Sequence, residues 1–460
     1  MKRIYFSGLN IIIILCSSCL LADRNTEKSA DTTVDTSRQT FTHPDWIMQS
    51  NVYEVNVRQY TPEGTFNAFA QHLPRLREMG VHILWFMPVT PISNTDRKGS
   101  LGSYYAVADY RGINPEFGTM NDFKALVNKA HELGFKVITD WVANHTGADH
   151  RWLTTHPEFY NRDSTGKAKY VYDWSDTRDL NFDNTMMRDS MIAAMKYWIT
   201  ETGIDGFRCD IAGEVPTDFW KQCIPELRKM KTVFMLAEGD KAELHEAGFD
   251  ASYPWEMFQM SKKIAAGQNT ALAIDSVLAK QDSSFPAHAI RLYFTSNHDE
   301  NSWNQSDYGT FPGASHAPFA VLTQTLRASL PLIYSGQEEP VLRKIEFFEK
   351  DPMGFSQYKR APFYKTLLTL RQRNPALAVD ASFDRIRAGD EKAVYAYTRK
   401  KDGRQVLVVL NLSNREQKIT IPDDSLLGNP LNVFMGTREN LSANHSFNME
   451  PWGYVIYEYD

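Results

Sequence analysis

Three carboxylates close three separate apolar segments of the chain. Asp210 ends the segment GIDGFRCD, Glu238 ends TVFMLAE and Asp299 ends LYFTSNHD. Each segment is typical of a buried strand, so each acid is expected where a strand meets a loop. In a barrel of parallel strands all such ends open on one face, where the chemistry takes place. Two carboxylates flanking a glycosidic bond can break it, one as nucleophile and one as proton donor, while a third stabilises positive charge on the sugar.

The residues beside these acids suit the same chemistry. Arg208 precedes Asp210 by two residues, so both side chains leave a strand on the same face. Its charge would keep Asp210 ionised, as a nucleophile requires. Glu238 must be protonated when the bond breaks, so we expect its surroundings to raise its pKa. An isolated Arg-x-Asp pair is more often structural, and the three acids together favour catalysis.

Short motifs around the acids occur in a fixed order. The segments are DWVANH (140–145), DLN (179–181), GFRCD (206–210), AEG (237–239) and NHDE (297–300). In this order they resemble the short sequence regions of the α-amylase family of glycoside hydrolases. The resemblance extends from about Ile47 to the C-terminus.

The resemblance implies a role for each motif residue. Asp210 would be the nucleophile, Glu238 the general acid/base and Asp299 the acid that favours the distorted sugar ring. The substrate-binding residues would be Tyr105, His145, Arg208 and His298. Ser103 and Tyr104 stand where many members have His-Gly, so Tyr104 is an alternative to Tyr105.

The resemblance also implies a structural calcium ion. Asn144 and Asp179 match calcium ligands of the family, and Glu214 would add a main-chain carbonyl; oxygen donors are what calcium takes. Gly213 and Glu214 replace a common Lys-His pair, and Glu214 cannot supply the cationic contact to a neighbouring sugar. The alternative is that Asn144 and Asp179 form hydrogen bonds between domains without a metal.

The elements that position these residues alternate between strand and helix patterns from Ile47 onward. This order predicts an α/β fold, a TIM (β/α)8 barrel with an inserted loop domain after the third strand, and the short strands after Leu377 predict a C-terminal antiparallel β-sandwich. Thr65 is expected to cap one helix that Gly80 ends, and Thr119 with Asp122 forms a capping-box pattern. We expect a signal peptide at 1–18, a tether at 19–44, the barrel at 45–145 and 186–376, the inserted domain at 146–185 and the sandwich at 377–460.

The N-terminus resembles an export signal. Lys2 and Arg3 precede the apolar run Leu9–Leu15, which is followed by Cys-Ser-Ser-Cys. Cys19 resembles the acylated cysteine of a bacterial lipoprotein, so the protein is expected to be exported and anchored in the cell envelope by lipid. The alternative is a cleaved signal with an incidental cysteine. The polar residues that follow read as a flexible tether.

Composition excludes some classes of protein. The net charge is −6 and no basic block occurs, so nucleic acid is not an expected partner. Of four cysteines, two fall in the N-terminal segment, and Cys209 and Cys223 alone cannot form a disulfide framework.

Together these features predict a retaining glycoside hydrolase acting on starch-like glucans or maltooligosaccharides. A transglycosylase on the same substrates is the main alternative, since a sugar hydroxyl can replace water. A non-catalytic glycan-binding protein is disfavoured because all three acids are present. A barrel with unrelated chemistry is disfavoured by the same acids together with Arg208.

Overall fold

A computed structural model of the chain describes residues 42–421, 426–442 and 445–460. The signal sequence, Cys19 and most of the tether therefore lie outside the described residues. Within those three ranges, no helix has the length and apolar character needed to cross a membrane.

The first part of the chain forms one sheet of eight parallel strands. A parallel bridge between Arg291, in the last strand of the sheet, and Ser329, in the segment that leads into the strand at the other edge, closes the barrel. This confirms the predicted fold class. In chain order, the strands up to residue 334 are β1 (Val52–Val55), β2 (Ile83–Phe86), β3 (Lys136–Trp141), β4 (His145–Gly147), β5 (Thr177–Asp179), β6 (Gly206–Cys209), β7 (Phe234–Ala237), β8 (Ala251–Ser252), β9 (Ile290–Arg291) and β10 (Leu332–Tyr334). The order across the sheet is β10-β1-β2-β3-β6-β7-β8-β9.

Gly206 allows the neighbouring barrel strands β6 and β7 to approach each other closely. A Cβ atom on Gly206 would lie 2.0 Å from the carbonyl oxygen of Phe234. Any other residue at the start of β6 would therefore push β7 away.

Helices connect the barrel strands. They are α1 (Val57–Tyr60), α2 (Phe66–Ala70), α3 (Leu73–Met79), α4 (Met120–Glu132), α5 (Trp152–Thr155), α6 (Thr185–Thr202), α7 (Thr217–Arg228), α8 (Ala242–Glu246), α9 (Trp255–Ala265), α10 (Ala273–Ser284), α11 (Asp307–Thr310), α12 (His316–Thr325) and α13 (Ala361–Arg373). Thr119 and Asp122 form the expected capping box of α4.

The helix expected between Thr65 and Gly80 is instead two helices, α2 and α3. Thr65 caps α2 by accepting a hydrogen bond from the Ala68 N–H, and Gly80 ends α3 in the left-handed conformation. Pro74 explains the break, because proline lacks an N–H and fits only the first turn of a helix.

The segment between β3 and α6 forms an excursion from the barrel. Its strands β4 and β5 pair antiparallel, with His145 opposite Asp179 and Gly147 opposite Thr177. This two-stranded antiparallel pairing ties the excursion to the end of β3.

The C-terminal part is an antiparallel β-sandwich. Its strands are β11 (Asp384–Ile386), β12 (Val394–Lys401), β13 (Arg404–Asn411), β14 (Gln417–Thr420), β15 (Leu431–Asn432), β16 (Thr437–Arg438), β17 (Ser446–Met449) and β18 (Tyr454–Tyr459). Six of them form one sheet, and β14 pairs with β17 in a second. One face of the large sheet packs on the small sheet through residues such as Leu407 and Val409. The other face, through Val406 and Val408, shares a core with the barrel and its helices.

Candidate active site

The three predicted acids line one cavity of about 560 Å³. Asp210 follows β6 and Glu238 follows β7, so two neighbouring parallel strands deliver these side chains to the same edge of the sheet. Asp299 lies further along the chain, in the loop after β9. The cavity therefore opens at the carboxyl ends of the barrel strands.

Arg208 is the charge at the centre of the site. Its Nη1 atom lies 2.9 Å from Oδ1 of Asp210 and 2.9 Å from Oδ1 of Asp140, and its Nη2 atom lies 2.9 Å from Oε2 of Glu238. The bonds through Nη1 have hydrogen-bond geometry, whereas the contact of Nη2 with Glu238 is an ion pair without that alignment. Burial opposes the charge on Arg208, but Asp140 and Glu238 raise its pKa well above the usual value. Arg208 is thus a permanent cation between carboxylates.

Burial perturbs the acidity of Asp140 and Asp210, which both contact Arg208. Burial, followed by the Glu238 carboxylate, raises the pKa of Asp210 well above its usual value, and Arg208 opposes this rise. Burial likewise raises the pKa of Asp140 to about 6. The Arg-x-Asp spacing predicted only that Arg208 lowers the pKa of Asp210, because the desolvation of a buried carboxyl group cannot be recognised from that spacing.

Glu238 is held by the backbone that follows Asp210. The Ile211 N–H donates to Oε2 of Glu238 at 2.7 Å. Ile211 has φ of +33°, a left-handed conformation that is strained for a β-branched residue. The strained turn aims this N–H group at the carboxylate of Glu238.

His298 connects Asp299 to the barrel interior. Its Nε2 atom lies 3.3 Å from Oδ2 of Asp299 and 2.7 Å from the Tyr105 hydroxyl, and its Nδ1 atom bonds Oε1 of Glu54. Burial acts against protonation, but Asp299 and Glu54 raise the pKa of His298 to about 9. His298 is therefore a cation at neutral pH.

His145 has the opposite character. It is fully buried, and burial lowers its pKa to about 4, so the ring is neutral. Its Nε2 atom has no hydrogen-bond partner, although the residue lines the cavity. A neutral imidazole with a free nitrogen at the cavity can bond a sugar hydroxyl.

Tyr105, rather than Tyr104, reaches the cavity. The ring of Tyr105 stacks on His298 at 5.5 Å, and its hydroxyl group lies 3.3 Å from Oδ2 of Asp140. Tyr104 is buried beneath, with its hydroxyl group on Asn56. The structure thus brings Tyr105, His145, Arg208 and His298 together with the three acids.

Of the three residues expected to bind calcium, Asn144 and Asp179 lie close together, whereas the side chain of Glu214 is half exposed. Leu180 N–H donates to the Asn144 carbonyl, so Asn144 lies beside the strand that carries Asp179. The Asp179 carboxylate accepts one hydrogen bond from Asn161, and burial raises its pKa. Glu214 is half exposed, and its carboxylate lies 3.9 Å from Lys241 Nζ.

These donors suit calcium in kind but carry little charge. Asp179 would supply one carboxylate and Asn144 one amide oxygen, and calcium accepts both together with main-chain carbonyls. The described residues contain no group of three or more His, Cys, Asp or Glu side chains that could hold a metal ion. The fit rests on Asn144 and Asp179, and the Glu214 side chain does not contribute.

Three residues of the site had no predicted role. Asp140 binds Arg208 and also accepts from the Trp85 indole N–H at 3.2 Å. Glu54 is fully buried beneath His298. A signal existed for both carboxylates, since Asp140 opens the motif DWVANH and Glu54 interrupts an apolar strand. Nothing in the sequence indicated a role for Ile211, because a strained backbone conformation cannot be recognised from the residue type.

Two families of known proteins match this chain. A family described as "Alpha amylase, catalytic domain" matches residues 27–174 and 158–359. A second, described as "Alpha-amylase SusG C-terminal domain", matches residues 394–456.

Individual relatives carry several names. Alpha-amylase MalA of Haloarcula japonica is 26% identical over 84% of this chain, which spans only 58% of that protein. Alpha-amylase 3 of Dictyoglomus thermophilum is 28% identical over 81% of the chain and 86% of that protein. Alpha-1,4-glucan:maltose-1-phosphate maltosyltransferase 1 of Streptomyces coelicolor is 27% identical over 79% of the chain and 58% of that protein.

Solved structures are similar to this chain over nearly their whole length, as one example shows. An alpha-amylase from Lactobacillus plantarum superposes with a TM-score of 0.81 and 30% identity, over 90% of this chain and 99% of that one.

Proposed function

This chain belongs to the α-amylase family, and from that membership we propose that it cleaves α-glucosidic bonds of starch-like glucans or maltooligosaccharides by double displacement. The observation that carries the proposal is the contact of one guanidinium, that of Arg208, with both Asp210 and Glu238. Nucleophile and proton donor are thereby fixed side by side in one cavity.

In the first step, Asp210 attacks the anomeric carbon while Glu238 gives a proton to the departing glycosidic oxygen. The bond from carbon to the leaving oxygen breaks as the bond from carbon to Asp210 forms. The Ile211 N–H holds the Glu238 carboxyl, and Arg208 stabilises the anionic form of Asp210 against its burial. His145 and His298 would hold the hydroxyl groups of the same sugar.

In the second step, Glu238 takes a proton from a water molecule, which attacks the same carbon and releases Asp210. Glu238 has then acted first as acid and then as base, as microscopic reversibility requires. Asp299, whose side chain is 35% exposed, lines the same cavity and would stabilise the positive charge on the sugar ring.

Transglycosylation is the second candidate function. It uses the same first step, with a sugar hydroxyl in place of water in the second. The resemblance to a maltosyltransferase favours keeping this candidate.

The test is turnover of amylose, pullulan, cyclodextrin and maltotriose, with separation of the products. We expect shorter glucans from the native protein. Products longer than maltotriose, formed from maltotriose, would assign the protein to transglycosylation. Asp210→Asn, Glu238→Gln and Asp299→Asn should each lower the rate by several orders of magnitude.

A control variant separates chemistry from folding. Glu214→Gln changes a half-exposed carboxylate that, like Asp210, follows β6 in the chain. It should leave the rate within about a factor of three, since surface substitutions usually have little effect. Near-normal turnover in any acid variant, after a check for deamidation, would remove that acid from the mechanism.

We also propose that Asn144 and Asp179 contribute oxygen ligands to a calcium ion. When bound, the ion would supply a structural link between the end of β3 and the excursion. Support comes from the position of Asp179 beside the Asn144 main chain and from its half-buried carboxylate, whose pKa burial raises although Asn161 and Lys169 oppose the rise.

A further inference from the structure

The cavity has a polar side that the proposed mechanism does not use. Lys98 and Asp176 both line it. Lys98 Nζ lies 3.4 Å from Oδ1 of Asp176, and the two side chains are 32% and 3% exposed. The other carboxylate oxygen of Asp176, Oδ2, is buried and has no hydrogen-bond partner.

The unpartnered oxygen of Asp176 is the informative atom. A buried acceptor without a donor costs free energy, and native proteins rarely keep one without a reason. The atom belongs to a side chain that lines a cavity wide enough to hold a ligand. A ligand hydroxyl group can donate to it, while the Lys98 ammonium donates to a hydroxyl oxygen.

The position of this pair relative to His145 indicates which part of a ligand it meets. His145 pairs with Asp179 across β4 and β5, and Asp176 precedes Asp179 by three residues. The ladder of β4 and β5 runs from that rung to the rung of Gly147 and Thr177, a span of roughly 7 Å, and Asp176 lies in the turn just beyond it. Asp176 therefore lies past the end of the ladder that is remote from His145.

We propose that Lys98 and Asp176 bind the hydroxyl groups of the glucose unit next to the one that is cleaved. This rests on the proposed function, which places the cleaved sugar at His145 and the acids. The carboxylate accepts from one hydroxyl group and the ammonium donates to another, so the pair recognises a sugar that presents two neighbouring hydroxyl groups.

A purely structural ion pair is the competing explanation, because Lys98 also joins the loop after β2 to the excursion. The chain contains a matched pair with that role. Asp96 and Arg178 join the same loop to the same excursion at 2.7 Å, and they line a separate depression. A structural role would make the two pairs equivalent.

The experiment compares Lys98→Met and Asp176→Asn with the control Asp96→Asn on two substrates. α-Glucosyl fluoride fills only the position of the cleaved sugar, whereas maltotriose also fills its neighbours. We expect kcat/KM for maltotriose to fall by about tenfold or more in the first two variants, the scale of a lost bond to a charged group. Turnover of α-glucosyl fluoride should stay within about twofold, and the control should change neither substrate.

A binding measurement keeps the test independent of turnover. In the Glu238→Gln protein, adding Asp176→Asn should raise the Kd of maltotriose by about tenfold, measured by calorimetry, with the melting temperature as the check on folding. Equal losses on both substrates, an unchanged Kd, or the same effect from Asp96→Asn would each overturn the site. If the native protein turned over neither substrate while Asp176→Asn still raised the Kd of maltotriose about tenfold, the proposed function, and not the binding site, would be overturned.

Discussion

The guanidinium of Arg208 contacts three carboxylates, those of Asp140, Asp210 and Glu238. Burial raises the pKa of Asp210 and that of Asp140, the latter to about 6, and Arg208 opposes both rises. One buried cation therefore contacts both acids proposed to react and favours the anionic form of Asp210. Removing it would leave neighbouring carboxylates without compensation, which is costly in a dry site.

The closeness of Asp210 and Glu238 predicts the stereochemistry of the reaction. We expect their carboxyl groups to lie about 5 Å apart, the separation that leaves no room for water and requires a covalent intermediate. The first product should then keep the α configuration. Proton NMR spectra taken in the first minutes of hydrolysis measure this, and a β-anomer appearing first would contradict it.

Glu54 is expected to set the acidity of His298. Because the Glu54 carboxylate raises the pKa of His298, Glu54→Gln should lower that pKa from about 9 by roughly one unit or more. The contribution of the His298 charge to stability is complete below the ordinary histidine pKa of about 6.5 and is lost as the pH rises through about 9. In the variant this loss should occur at lower pH.

NMR titration of labelled imidazole groups measures the change, with His298→Gln used to assign the signal. The ring of His145, whose pKa is about 4, serves as the control and should not move. A His298 midpoint that stays near 9 would show that Asp299 alone sustains the charge.

At the scale of elements, the antiparallel pairing of β4 and β5 holds the excursion against the barrel. A calcium ion at Asn144 and Asp179 would strengthen this attachment, since a ligand that binds only the folded state stabilises it. At a free concentration 100 times Kd, the gain is about 2.7 kcal/mol. Chelation should therefore lower the melting temperature and the activity together, and added calcium should restore both.

Asp179→Asn should abolish the response of the melting temperature to calcium. Asp163→Asn is the matched control, because Asp163 lies in the same excursion with an exposed carboxylate that accepts from Thr165 and Lys167. If a verified metal-free sample melts and reacts like the untreated protein, Asn144 and Asp179 are structural hydrogen-bonding residues.

Local signals explain which elements could be predicted from the sequence. The capping box of Thr119 and the spacing of Arg208 and Asp210 depend on neighbouring residues, and both predictions match the structure. The break between α2 and α3 was missed because the apolar pattern continues through Pro74. Lys98 and Asp176 could not be paired in advance, since 78 positions separate them (176 − 98) and only packing brings them together.

At the scale of the whole molecule, we propose that Cys19 carries a lipid that anchors the protein in the cell envelope. Cys19→Ala should release the protein from membranes, because acyl chains provide the hydrophobic attachment and a polar tether provides none. Fractionation at high salt measures this, with Cys223→Ala as the control, a buried thiol of the folded body. Retention of Cys19→Ala in the membrane fraction would contradict the lipid anchor.

The core shared by the barrel and the large C-terminal sheet limits how this protein could exchange parts with its relatives. Along β13, Val406 and Val408 pack toward the barrel and Leu407 and Val409 pack into the sandwich. Successive residues of β13 thus pack against different parts of the protein. A recombination event with its crossover near residue 377 would import a sandwich whose barrel-facing side chains had been selected against another barrel. Chimeras that fold should therefore take α12, α13 and the sandwich from the same parent protein. The reason is that β13 packs against the barrel helices on one face and against the small sheet on the other.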